Sequence, residues 1–301
     1  MTHTTRGWAC WLAVVLACAV AVPGSTQQPA QTTFPSAEQA ADALVAAARA
    51  GDAARLTALL GPAGKELVSS GDSVQDKRDR DQFVRKYEEM HRLAKEPDGT
   101  TTLYIGAENW PLPIPLVGTD GAWRFDTEAG KQEILFRRVG RNELTAIRAC
   151  RALVEAEEAY HAASAREAGG VAHYASRFIS DSGTRDGLYW RGEGERSPIG
   201  PLLAAAAGSA GATPFHGYLF RLLTAQGPNA PGGTKSYLVN GALTIGYAFV
   251  AFPAEYRSSG VMTFLVGEDG TVYQRDLGPS TTALAKALSA YDPDSTWQRA
   301  D

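Results

Sequence analysis

The chain has 301 residues, 44% hydrophobic, 21% charged and 9% aromatic, with three cysteines and a formal net charge of −4. That composition excludes a disordered chain, a collagen-like repeat and a disulfide-stapled scaffold. No excess of positive charge exists to neutralise a nucleic-acid backbone, so no nucleic-acid partner is expected.

Residues 1–21 have the three parts of a secretory signal. Arg6 is the one charge ahead of an apolar run from Trp8 to Val22, and Ala19-Val20-Ala21 is a small-x-small cleavage pattern. At 15 residues the run is shorter than the ~20 that span a bilayer. Cleavage near Ala21 is therefore expected, leaving a periplasmic or secreted chain with no transmembrane helix. Val15-Leu16-Ala17-Cys18 also resembles a lipobox, which would lipidate Cys18, although the residues after it stay apolar rather than turning polar. Simple cleavage leaves Cys150 alone, in an apolar helical context that suits packing better than reactivity.

Residues 22–33 read as a polar linker. Ser36 is then the expected N-cap of an Ala-rich helix through Ala50, stopped by Gly51, and Asp52 caps a second helix to Leu60. A third helix is expected from Val74 to Lys95, with Phe83, Tyr87, Met90 and Leu93 near one face. Strands follow at Thr101–Glu108, Leu112–Val117 and Ala122–Asp126, the last two joined by a Thr119-Asp120-Gly121 turn. Pro111, Pro113 and Pro115 place the middle strand at a sheet edge.

After a break at Ala129–Asn142, a long helix is expected from Asn142, its N-cap, to Ala165. Leu144, Ile147, Cys150 and Val154 form its apolar stripe, flanked by Leu153, Ala156 and Tyr160, and Gly169-Gly170 ends it. A loop-rich stretch from Asp181 to Thr213 holds a small helix near Leu202–Ala207. Strands recur at Tyr218–Thr224, Ser236–Asn240, Thr244–Phe252, Val261–Val266 and Thr271–Asp276, with a Glu268-Asp269-Gly270 hairpin between the last two. A helix at Thr281–Ala290 closes the pattern. Helices followed by strands occur twice, which predicts an α+β fold of two domains, 34–129 and 130–301, each with an antiparallel sheet. The first carries 11 basic and 16 acidic residues and the second 17 of each, a statement about solubility alone.

Few residues here carry a chemical signature. Glu88/His91 and Glu158/His161 repeat a Glu-x-x-His spacing that di-iron helix bundles use, but a strand-rich chain cannot build the four-helix cage, and solvated helix faces explain both pairs. No metal or cofactor is expected. For hydrolysis no Gly-x-Ser-x-Gly elbow exists, and Ser197 or Ser236 would meet His173 or His216 only through tertiary geometry. Cys150 and His161 lie about three helical turns apart, too far to pair. Gly227–Lys235 lacks phosphate-loop spacing and reads as a long hairpin loop, and Gly192–Glu195 as a surface loop. Arg185 and Asp186, expected to pair beside Tyr189 and Trp190, form either a packed corner or an aromatic recognition surface, the corner being favoured.

Arg185-Asp186-Gly187-Leu188-Tyr189-Trp190, His216-Gly217-Tyr218, Thr224-Ala225-Gln226-Gly227-Pro228 and Asp276-Leu277-Gly278-Pro279 resemble a bacterial family of exported proteins known only as a domain of unknown function. Phe34-Pro35-Ser36 and Trp110-Pro111 extend the resemblance over Phe34–Trp297. It implies no catalytic or binding residues. The second half is also similar to the globular part of type IV pilin-like proteins, without their processing site or polymerising helix. The first half looks like nuclear-transport-factor-like cone folds, which host enzymes and inert binders alike. The expected function is a non-enzymatic envelope module that binds an envelope protein or a small ligand. The alternative is an exported hydrolase with a cleft between its domains. Catalytic residues stay unassigned.

Overall fold

A computed structural model describes residues 31–69, 71–166, 171–192, 196–207 and 212–300. The expected signal sequence, Cys18, Gly169-Gly170 and Glu193–Glu195 lie outside the described residues. The fold is α+β, and its contacts fall into two compact units, one up to Thr127 and one from Glu128.

In the first unit, Ser36 is extended and its Oγ accepts the Gln39 N–H, which starts α1 (Ala37–Ala50). Gly51, left-handed at φ 64°, ends it and donates to the Ala47 and Ala48 carbonyls. Asp52 then caps α2 (Ala53–Leu60) by accepting the Arg55 N–H at 2.9 Å. Both helices stand where the capping residues place them. Short α3 (Lys65–Val68) leads to α4 (Ser73–Glu89), capped by Asp72. The alanines of α1 let it lie close to its neighbours, and Leu44, Leu56, Leu59 and Leu60 close over Leu116 and Phe125. Residues 31–33, expected as linker, are held to this unit. The Gln31 Nε2 donates to the Leu59 and Phe125 carbonyls at 2.8 Å each, and the Thr32 N–H donates to Ala58.

The sheet of this unit comprises β1 (His91–Lys95), β2 (Thr101–Ile105), β3 (Trp110–Pro111), β4 (Leu116–Thr119) and β5 (Ala122–Phe125), in the order β1-β2-β4-β5 with β3 also on β2. Two expectations need correcting. The third helix ends at Glu89, and His91–Lys95 pairs antiparallel with β2. Met90 turns extended at φ −163°, and the Gly106 N–H bonds to the Lys86 and Met90 carbonyls, a tertiary closure that overrides helical periodicity. The proline segment does not form an edge strand. Beyond Pro111 in β3, residues 112–115 lie outside any strand, and the ladder begins at Leu116, the first residue past Pro115, between β2 and β5. Asp120 and Gly121, both at positive φ (52° and 75°), make the expected hairpin turn.

The second unit opens with α5 (Thr127–Ser164), a single helix of 38 residues of which all but the first belong to this unit. The expected break at Ala129–Asn142 is helical, since helix formers and the Glu133–Arg137 pair at 2.7 Å carry it past Gly140. Asn142 is an interior residue, not a cap, and its Nδ2 donates to the Ser259 carbonyl at 2.8 Å. The buried stripe runs through Ala146, Ile147, Cys150, Leu153 and Ala156, while Leu144, assigned to it from sequence, is 53% exposed.

Next come β6 (Arg177–Ile179) and β7 (Gly187–Tyr189), a parallel pair whose second strand lies inside the stretch expected as loop, and α6 (Pro201–Ala205). The main sheet contains β8 (Tyr218–Leu223), β13 (Ala248–Pro253), β14 (Met262–Gly267), β15 (Val272–Asp276) and β16 (Gln298–Arg299). Its order is β16-β15-β14-β13-β8, antiparallel throughout. All six residues of β13 are buried; full burial of a side chain such as Phe249, Val250 or Phe252 contributes about 1.5–3 kcal/mol. Between β8 and β13 lie two hairpins. One joins β9 (Ala225–Gln226) to β10 (Lys235–Ser236) across the Gly227–Thr234 loop, the hairpin expected there. The other joins β11 (Leu238–Val239) to β12 (Ala242–Leu243), with Asn240 and Gly241 at φ 49° and 85°. It replaces the single strand expected to Asn240, and the strand expected from Thr244 starts at Ala248. Helix α7 (Thr281–Ala287) packs on β13, and Arg221 of β8 donates to the Ala285 and Leu288 carbonyls at the helix end. No helix among the described residues is long and apolar enough to cross a membrane.

Candidate functional site

The Arg185–Trp190 segment is organised by Arg177. Its Nη1 bonds the Asp181 carboxylate at 2.6 Å, and its Nε lies 3.2 Å from Asp186. Asp186, expected to pair with Arg185, is thus held by Arg177, and it also accepts from the Thr184 hydroxyl and the Asp181 N–H. Those bonds, Thr184's foremost, hold its carboxyl below the usual range. Gly187 lets β7 approach β6 closely, because a Cβ there would stand 2.8 Å from the Ser180 nitrogen. Leu188 is buried and Tyr189 packs against the core, as the packed-corner reading expects.

Arg185 and Trp190 differ. The Arg185 guanidinium lies 5.4 Å from the centre of the Trp190 ring, and both residues line two adjoining clefts of about 500 and 660 Å³. The Tyr160 hydroxyl fixes the base of this arrangement by donating to the Arg185 carbonyl at 2.8 Å. Loop 180–184, Tyr189 and Pro201 face the first cleft. Tyr160, Ser164, His173 and Arg196 face the second. A charged planar group over an indole ring, where two clefts meet, suits a ligand with an apolar or ring face beside polar groups.

Ser164 and His173 meet in the second cleft, but through the backbone. The Ser164 Oγ accepts the His173 N–H at 3.0 Å and lies 2.9 Å from the His161 and His173 carbonyls, either of which takes its proton. The His173 Nδ1 lies 3.1 Å from the Val171 carbonyl. The pair therefore ties the end of α5 to the following segment.

The remaining residues singled out from sequence do not converge. His91 sits on β1 stacked on Tyr87, with ring centres 3.9 Å apart, while Glu88 pairs with Arg49, so that Glu-x-x-His is not helical. His161 stacks on Tyr174, and Glu158 accepts from the Tyr247 hydroxyl at 3.4 Å. Among the described residues no cluster of three potential metal ligands forms. Ser197 bonds the Ile199 carbonyl, Ser236 accepts the Leu238 N–H, and His216 is a positive-φ turn residue against Phe215. Cys150 is fully buried, and burial pushes its thiol up to about 12, as a packing role requires.

One buried acid escaped the sequence reading. Glu157 is fully buried; its Oε2 accepts the Ala175 N–H at 2.8 Å, and its Oε1 has no partner among the described residues. Burial raises its carboxyl to about 8. Its place, four residues after Leu153 and seven after Cys150 on the buried stripe, was the available signal.

Together these features define an α+β protein whose second unit presents an arginine-over-tryptophan cleft. The chain belongs to the family described as a protein of unknown function, DUF2950, whose model matches residues 31–300. No curated protein and no solved structure gives a significant match.

Proposed function

We propose that this protein is an exported bacterial envelope component that binds without catalysing, and that the paired clefts at Arg185 and Trp190 are its binding surface. The observation that carries this reading is the Arg185 guanidinium over the Trp190 ring where the two clefts meet. Arg166, Arg185 and Arg196 line the second cleft, and Asp186, the one acid lining it among the described residues, is engaged by Arg177. This favours an anionic or hydroxyl-rich envelope ligand. Export rests on the signal pattern of residues 1–21, with simple cleavage near Ala21 favoured over lipidation at Cys18. The hydrolase alternative needs a nucleophile with a free base. Ser164 and His173, which share this cleft, are instead joined through backbone groups.

The test is co-sedimentation of purified protein with isolated cell-wall and membrane fragments. Trp190→Ala and Arg185→Ala should each weaken binding about tenfold, the scale of one charge-assisted contact, with unchanged circular dichroism. Equal binding by both folded variants overturns the assignment of the surface. Ester or amide turnover that disappears in His173→Ala overturns the non-catalytic reading.

A further inference from the structure

A separate cavity of about 350 Å³ in the second unit lies between the β9–β10 hairpin, the β14–β15 turn and Tyr291. Its walls are built. Gln226 donates to the Pro231 and Gly233 carbonyls at 2.7 Å and accepts from the Tyr237 hydroxyl at 3.0 Å, which fixes the glycine-rich loop. The Tyr291 N–H donates to the Ala225 carbonyl, and its own carbonyl accepts from Gly227. Its ring lies against Gly267, where a Cβ would stand 3.1 Å from the ring carbon that bears the hydroxyl. A Cβ at Gly246 would equally meet Glu268 and the Tyr237 ring at 3.1 Å.

Both signs of charge line this space. The Lys235 Nζ lies 5.8 Å from the centre of the Tyr237 ring, and no ion pair within 4.0 Å engages Lys235, Glu268 or Asp269 among the described residues. Glu268 accepts from the Tyr174 hydroxyl at 3.3 Å and Asp269 from the Thr271 N–H at 3.1 Å, so each keeps acceptor capacity. The Tyr291 side chain also lines the cavity. The residue is 4% exposed, and among the described residues its buried hydroxyl has no hydrogen-bond partner. Buried hydroxyls ordinarily have one, and a bound polar group would supply it.

We infer that this cavity binds a small zwitterion of the free amino-acid or short-peptide class, its ammonium toward Glu268 and Asp269 and its carboxylate toward Lys235. A ligand with only negative charge meets two carboxylates, and one with only positive charge meets the lysine. A ligand carrying both a few ångströms apart satisfies all three, with the Tyr237 and Tyr291 rings as walls. The volume is at the small end of ligand pockets, which run about 300–1,000 Å³.

Calorimetric titration of the full chain lacking residues 1–21 with L-alanyl-L-alanine tests this, beside the N-acetylated and the C-amidated dipeptides. The free dipeptide should bind saturably, and blocking either terminus should weaken binding about tenfold, the scale of one charge-assisted hydrogen bond. Lys235→Gln should erase the difference between the free and amidated forms. Tyr291→Phe should weaken binding while leaving the circular dichroism unchanged. Trp190→Ala should leave dipeptide binding intact, since the two sites are independent. No saturable binding of the free dipeptide, or equal binding of the blocked forms to the unaltered protein, overturns the inference.

Discussion

The Glu157 carboxyl accepts the Ala175 N–H at 2.8 Å through one oxygen and leaves the other buried with no partner among the described residues. It fastens α5 to the segment leading into β6 at the expense of a carboxyl in an apolar core. Burial raises its pKa from 4.5 to about 8. Between those values the folded state holds a proton that the unfolded state has released, so stability falls as pH rises from about 4.5 to about 8. Glu157→Gln, which keeps an acceptor for Ala175, should flatten this dependence. Urea unfolding near pH 5 and near pH 9 measures it, and parallel losses in the two proteins would refute the assignment.

Cys150 lies beneath the main sheet, fully buried, with its thiol pushed up to about 12. In a chain starting after Ala21 it is the sole cysteine. It should resist an aromatic disulfide reagent in buffer and react with one equivalent once urea unfolds the protein. Rapid reaction under native conditions would contradict the burial.

Gly187→Ala would force a Cβ to within 2.8 Å of the Ser180 nitrogen and 2.9 Å of the Ile179 carbonyl carbon. Separation of β6 from β7 should cost about 1–3 kcal/mol, the usual penalty of overpacking. It should also weaken the proposed envelope binding, because Ile179 and Tyr189 of this pair line the first cleft. Gly140→Ala, in α5 where a Cβ meets nothing within 4 Å, is the control and should be neutral or stabilising.

The two units each possess a core: Leu44, Leu59, Leu116 and Phe125 in one, and Leu153, Phe220, Phe249 and Phe264 in the other. Residues 31–127 and 128–301, expressed separately, should each show helix and strand by circular dichroism and unfold cooperatively. Two unfolded fragments would contradict a two-domain organisation.

Local chemistry made part of this structure legible in the sequence. Ser36, Gly51 and Asp52 mark their helix ends because a cap acts within one turn, and Asp120-Gly121 marks its hairpin because few residues accept positive φ. Asn240-Gly241 carries the same signal for the β11–β12 hairpin. The switch at Met90 was hidden, since the Gly106 bonds that end α4 come from another element. The start of α5 was hidden too, because Asn142 looks like a cap while its side chain serves Ser259. At the site, the Arg185–Trp190 run stood out by composition. The clefts beside it depend on Tyr160, Ser164 and His173, which reach it through the fold. Glu157 was overlooked because a charged residue on a helix reads as solvated unless the buried stripe is followed past Ala156.

Strand β13, buried at every position in the folded protein, has another aspect before folding is complete. Ala248–Phe252 is an uncharged, aromatic and β-branched run with the composition of an aggregation-prone segment. Its partner β14 follows it directly in the chain, but its pairing with β8 spans two intervening hairpins and is non-local, and α7, which covers it, is made later still. Pro253 stands at its end as a backbone without a donor, where it limits how far a foreign strand can zip along the run. A strand that the finished core buries at every position is therefore one whose misassembly the nascent chain has to avoid.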